Sequence, residues 1–336
     1  MTEADDNAGS PHENLDSRFA PGDRIGDRYR IVALLGEGAI GEVYEAYDEA
    51  LAEPLALKTL RAHVASHAVT VERFRREIQL ARKVTHRNVC RTYDFGRHEL
   101  ADGTEVLFLT MELLRGVSLA KQMVTKQRYT TAEALPLVLQ MTAGLEAAHQ
   151  AGVIHRDFKP GNLVLVPEAA DATPSGLPRL VITDFGIARR HGLGEYSITS
   201  TGEALGTPLY MAPEQVVSGT EPITPATDIY ALGIVLFEML TNEMPFTGNS
   251  TNIMALKRIK EKPMSPRAFV PDLDPLWDAV IMRCMERLPA RRFQTAKEVA
   301  DALTGVRPVE PSSDAAEATK SGKSGLWRSL FGRRKD

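Results

Sequence analysis

The sequence predicts an α+β fold in which a small strand-rich N-terminal part with one helix precedes a larger, mostly helical part. Three observations carry this expectation. From Tyr29 to Leu35 short apolar runs alternate with polar residues, and Val43, Tyr44 and Leu55 to Leu60 continue the pattern, as a hairpin and a further strand require. Val106 to Met111 is a near-continuous apolar run typical of a buried strand. Downstream the period changes. Leu135, Val138, Leu139, Thr142, Leu145 and Ala148 recur at three- and four-residue steps, which gives a helix one apolar stripe facing a core.

Taken in order, residues 1–28 are expected to form a flexible leader, because up to about residue 24 they are rich in Asp, Glu, Asn, Gly, Ser and Pro and poor in aliphatics. The strands of the N-terminal part follow, with a helical stretch from about Thr70 to Lys83 between them. Beyond the helix at 135–148, Pro167 to Pro178 reads as a loop inserted in a hairpin. Ile229 to Leu240 reads as a helix buried all round, and Leu276 to Met285 and Ala296 to Leu303 as amphipathic helices. Residues 305–336 turn Pro-, Ser- and Ala-rich and read as a flexible tail.

With 43% apolar residues, the 336-residue chain can build a sizeable core as one large domain or two ordinary ones. A net charge of -4 gives no global basic field, so nucleic acid is not an expected partner. Cys90 and Cys284 lack a metal-ligand spacing and read as two reduced thiols of a cytosolic protein. Met1 to Ser10 hold Glu3, Asp5 and Asp6 with no apolar stretch, unlike a secretory signal. Ile229 to Leu240 is too short to span a bilayer. A soluble, cytoplasmic protein is expected.

Residues 155–162 read His155, Arg156, Asp157, Phe158, Lys159, Pro160, Gly161, Asn162, and further on stand Asp184, Phe185 and Gly186. Asp157 supplies a carboxylate to orient a hydroxyl, Lys159 an ammonium to offset charge, and Asn162 and Asp184 two ligands for Mg²⁺. These are the parts that phosphoryl transfer from ATP requires. Gly36, Gly38 and Gly41 lie between strands, with Val43 two residues on. Glycines there let the backbone turn tightly and approach phosphate oxygens, although an ordinary glycine hairpin has the same spacing. No helix follows at once, which disfavours a Rossmann unit.

Together these motifs resemble the eukaryotic-type (Hanks-type) protein serine/threonine kinases, most of all the bacterial branch. The resemblance covers about residues 29–304. It implies the bilobal protein kinase fold, with an N-lobe over 29–111, a hinge over 112–116 and a C-lobe over 117–304. It also implies ATP and Mg²⁺ as cofactors, with Mn²⁺ as a substitute, and protein substrates carrying Ser or Thr acceptors. Leu35, Gly36, Glu37, Gly38 and Gly41 would cover the nucleotide, with Val43 and Ala56 closing over the adenine. Lys58, in Ala56-Leu57-Lys58, would hold the α- and β-phosphates and count with Asp157 and Lys159 among the catalytic residues. Glu77 is the counter-ion of Lys58 by resemblance; beside Arg75 and Arg76 it also fits a solvated helix face. The Glu112 carbonyl and the Leu114 amide would meet the adenine edge, with Met111 as gatekeeper.

Lys159 and the run Gly206, Thr207, Pro208 match serine/threonine-specific members, and Met211 to Glu214 closes the segment that begins at Asp184. Glu214 would pair with Arg292, and Asp228 would fasten the catalytic-loop backbone. Arg156 stands where the family reads a phosphate on the activation loop, which makes Thr199 and Thr201, in the hydroxyl cluster Ser197 to Thr201, the expected autophosphorylation sites. A homodimer would be the autophosphorylating species. The chain departs from the pattern at Phe158 (usually Leu), Arg87 (usually Pro) and Leu288 (usually Asp), and Gly161 removes an acidic residue common in basophilic kinases. At the C-terminus, Leu326, Trp327, Leu330 and Phe331 would share one side of a short basic helix. Such an end docks on a partner or an anionic membrane, or stays disordered.

Overall fold

The computed structural model describes residues 18–37, 41–60, 68–168, 176–185, 208–217, 219 and 221–306. Thr199, Thr201, Thr207, Gly38, Gly186 and the tail from 307 onward lie outside the described residues. The chain divides into two compact units, one of Met1–Ala65 and Asp94–Leu113, the other of Ser66–Tyr93 and Leu114–Asp336. Residues 66–93, counted from sequence with the strand-rich lobe, therefore cluster with the helical unit.

The first unit is built on a six-stranded sheet in the order β1-β2-β3-β4-β6-β5. Its strands are β1 (Arg24–Ile25), β2 (Tyr29–Glu37), β3 (Glu42–Asp48), β4 (Glu53–Thr59), β5 (Thr92–Glu99) and β6 (Glu105–Met111). β1 to β4 pair antiparallel in succession, and β4 pairs antiparallel with β6. The alternation read from Tyr29 onward puts Tyr29 and Ile31 into a core with Tyr44, Ala46, Leu55, Leu57, Val106 and Phe108. The leader expected over 1–28 gives way to structure earlier. Arg24 and Ile25 pair with Arg30 and Tyr29, and Phe19 is buried edge-on against Tyr44, ring centroids 5.9 Å apart. Two apolar side chains, Phe19 and Ile25, bury enough surface to order a segment whose composition is otherwise polar.

The second unit holds helices α1 (Ala68–Ala81), α2 (Leu119–Lys126), α3 (Thr131–Gln150), α4 (Pro213–Val216), α5 (Pro225–Thr241), α6 (Thr251–Lys260), α7 (Pro275–Cys284) and α8 (Ala296–Leu303). A small sheet orders β7 (Val117–Ser118), β8 (Leu163–Val166) and β9 (Arg179–Ile182). α3 starts at a reciprocal cap in which Thr130 Oγ1 accepts from Glu133 N–H and Glu133 Oε2 accepts from Thr130 N–H. α5 is mostly apolar, and nearly every residue from Ala226 to Thr241 is buried, which makes it the axis against which α3 and α7 stack their stripes, while α8 packs on α3 and α7. It ends at Asn242 in the left-handed region (φ 59°), a conformation asparagine tolerates. β8 and β9 form the hairpin expected around the Pro167 to Pro178 insertion, in register from Leu163↔Ile182 to Val166↔Arg179. Among the described residues no helix is long and apolar enough to cross a membrane.

Candidate active site

The reacting residues gather where the β8–β9 hairpin begins. Its first rung pairs Leu163 with Ile182, so the residues just outside it, Asn162 and Thr183, must also meet. Thr183 N–H donates to Asn162 O at 2.9 Å and Thr183 Oγ1 donates to the same oxygen at 3.2 Å. Asp184 thus follows one residue beyond the partner of Asn162, however long the chain between the strands.

Pro160 to Asn162 make one 3₁₀ turn that Pro160 opens with its preset φ, and Asn162 N–H closes it onto Lys159 O at 2.9 Å. The turn folds Asn162 back over the loop. Its Nδ2 donates to Asp157 O at 2.8 Å and to Asp157 Oδ2 at 3.2 Å. Lys159 Nζ lies 2.8 Å from that same Oδ2. One carboxylate oxygen is therefore held between an amide and an ammonium.

His155 sets the loop from beneath. It is fully buried, packed 4.7 Å from the Phe185 ring and 5.7 Å from that of Phe158. Its Nδ1 accepts from Asp157 N–H at 3.2 Å, so Nε2 must carry the hydrogen that is donated to Thr183 O at 2.8 Å. That is a neutral imidazole. Burial holds its pKa below the ordinary histidine value and outweighs the opposing charges of Asp228, Asp157 and Asp184.

Asp228, in the first turn of α5, is buried and accepts three bonds of 2.7 Å, from His155 N–H, Arg156 N–H and the His149 ring. These hold a backbone in which Arg156 has φ 64°; Asp184 has φ 55°. Non-glycine residues in that region cost of order 1–3 kcal/mol each and persist where neighbours over-determine them, as here. Arg156 O in turn accepts from Gln215 Nε2 at 2.7 Å, which ties α4 to the loop.

Glu214 and Arg292 form a buried two-pronged ion pair with both contacts at 2.8 Å. Thr227 Oγ1 adds a bond of 2.9 Å to Glu214 Oε1, and Arg292 lies 4.7 Å from the Tyr230 ring centroid. Gln215, Thr183, His149 and Thr227 are the supporting residues that sequence reasoning missed. Only the position of Gln215 next to Glu214 signalled any of them.

In the sheet unit, Leu35, Gly36 and Glu37 end β2 in exposed positions, and Gly36 pairs with Val43. Gly41 precedes β3 where no side chain fits: a Cβ there would stand 1.8 Å from Thr59 O. Val43 pairs with Lys58, and Ala56 is two residues from Lys58 on β4, so all three share one face of the sheet. Lys58 is buried. Ala56 pairs with Met111 at the end of β6; Glu112 follows, and the chain passes from the first unit to the second between Leu113 and Leu114. Glu77 lies in α1 of the second unit.

Residues 29–303 match the Protein kinase domain family. The probable serine/threonine-protein kinase SCO3848 of Streptomyces coelicolor is 33% identical over 276 residues, 82% of this chain and 39% of that protein. Serine/threonine-protein kinase PknA of Mycobacterium tuberculosis is 34% identical over 292 residues, 86% of this chain and 64% of that protein. The chain thus spans between 39% and 64% of the length of these two curated relatives. The crystal structure of the Mycobacterium tuberculosis PknI kinase domain aligns with a TM-score of 0.66 at 28% identity, covering 86% of this chain and 100% of that one. Its fold, its motifs and a match over most of its length agree: the chain belongs to the protein kinase domain family.

Proposed function

We propose that this chain is an ATP-dependent protein serine/threonine kinase that transfers the γ-phosphate of ATP to serine and threonine hydroxyls of protein substrates. The observation that carries the reading is the Asp157 carboxylate, held 2.8 Å from Lys159 Nζ and 3.2 Å from Asn162 Nδ2 beside the hairpin that aligns Asn162 with Asp184. Asp157 orients the acceptor hydroxyl and takes its proton, and Lys159 offsets charge on the moving phosphoryl group. Lys58 holds the α- and β-phosphates. The Glu112 carbonyl and Leu114 amide read the adenine edge.

The donor set suits a hard divalent cation. Asn162 spends its Nδ2 on Asp157, so Oδ1 is the atom it offers, and Asp184 adds a carboxylate one residue past Thr183. Two oxygen donors fit Mg²⁺, or Mn²⁺ in its place, which fills its shell with water and phosphate oxygens. When bound there, such a cation would supply positive charge against that of the phosphates. Arg156 receives phosphate placed on Thr199 or Thr201 by a second copy of the chain, which regulates the same loop that catalyses. The basic C-terminal end docks on a partner or an anionic membrane. The two buried cysteines, Cys90 and Cys284, are consistent with a cytoplasmic setting.

Transfer from radiolabelled ATP to a degenerate peptide library tests the reading. Wild type is expected to label serine and threonine peptides, and Asp157→Asn to lose about 10²–10⁴-fold in turnover while still binding nucleotide. Equal labelling by both proteins, or none by wild type, refutes it. Phosphopeptide mapping of the two proteins expressed alone addresses the loop, since phosphate on the variant counts against autophosphorylation.

A further inference from the structure

Helix α6 carries an arginine whose burial the kinase motifs do not explain. Arg258 is 1% exposed, and among the described residues it has no carboxylate partner. Its Nη1 donates to Pro208 O and, at 3.1 Å, to Met211 O, while Nη2 donates to Leu209 O. The guanidinium lies 5.8 Å from the Phe246 ring centroid. Burial lowers its pKa, as expected for a cation out of water and away from an anion. Such burial carries a desolvation cost that a neutral side chain would avoid. Here the planar fork collects three carbonyls from one four-residue stretch, which a point-charge ammonium cannot match.

The stretch it collects leads to the catalytic loop. Tyr210 OH donates to Glu238 Oε2 at 2.6 Å, and Ala212 N–H donates to Gln215 Oε1 at 3.0 Å. Gln215 Nε2 then reaches Arg156 O, the carbonyl immediately before Asp157. A continuous series of bonds runs from α6 through 208–215 to the reacting loop.

We propose that Arg258 is a positioning residue that, by gathering the carbonyls of Pro208, Leu209 and Met211, sets the track of residues 208–215 and so where a peptide acceptor meets Asp157. The role in transfer rests on the kinase reading; the clamp itself does not. Two variants of the full chain test it, Arg258→Met and Arg258→Lys. In Arg258→Met, amides of 208–217 are expected to exchange at least about tenfold faster while α3 keeps its wild-type rates. Peptide kcat/KM should fall about 10²-fold with KM for ATP within about twofold of wild type. Arg258→Lys, keeping the charge without the fork, should recover part of the loss. Unchanged exchange at 208–217 in Arg258→Met overturns the clamp. Protection lost throughout the helical unit, with peptide and ATP parameters falling in parallel, reduces Arg258 to packing and overturns the proposal too. A wild type that labels no peptide refutes the kinase reading, and the exchange measurement still decides on the clamp.

Discussion

A buried guanidinium costs least when each of its five N–H groups has an acceptor, and Arg292 meets that condition. Two go to Glu214 and the others to the carbonyls of Ala226, Glu286 and Arg287. Arg292→Met should therefore cost about 3–5 kcal/mol by leaving Glu214 buried and unpaired, read from urea denaturation midpoints. Adding Glu214→Gln to that variant should restore part of the loss; no recovery would mean that the carbonyl contacts dominate. His155 makes a pH prediction. Its folded pKa is lowered by burial, so below pH of about 6.5 the unfolded chain takes up a proton that the folded chain refuses. Stability from this group is full above that point and declines as pH falls toward the folded pKa, at up to about 1.4 kcal/mol per unit. Denaturation at pH 7.5 and 5.5 should show a shallower dependence in His155→Gln than in wild type, and equal slopes would exclude His155 as the source. The Glu214–Arg292 pair could be named from sequence because both residues sit in recognisable runs. Gln215 and Arg258 could not, because their acceptors lie far along the chain and only the tertiary fold brings them near.

At the scale of elements, α5 was legible because an apolar run with no polar face must be buried, and it is. Gly233 on α5 faces α7 so closely that a Cβ there would stand 2.7 Å from Cys284 Cβ and 2.9 Å from Met285 Cγ. Alanine favours helices over glycine by about 1 kcal/mol, yet the overlap involves an atom next to the α7 backbone that cannot swing away. Gly233→Ala should be destabilised by about 1–3 kcal/mol, and an unfolding midpoint at or above wild type would show that α7 yields. The elements sequence reasoning passed over share a physical cause. β5 buries no residue fully and lacks a two-residue alternation, and α2 and α6 are short helices with mixed polar faces. A pattern that buries little leaves little periodicity to read.

Across the whole molecule, the two units carry separate apolar clusters, a small one in the sheet and a larger one around α5. Native-state hydrogen exchange should reflect that inequality. Amides of β2 and β3 are expected to exchange through opening of the smaller unit, while those of α5 wait for global unfolding. Equal protection in both would mean that the units unfold as one. By sequence, residues 66–93 group with the strands that flank them, whereas their contacts cluster them with the helical unit, and no local period encodes such contacts. The β8–β9 hairpin has a practical consequence. Since its rungs tie Asn162 to Thr183, the separation of the two metal-ligand candidates along the chain is uncoupled from their separation in space. A reporter peptide spliced between Glu168 and Gly176 would enter only as loop-closure entropy, about 0.6 kcal/mol per doubling of length. The kinase domain thus offers a graft position at the far end of the hairpin from Asn162 and Thr183, where an insert leaves the reacting atoms in register.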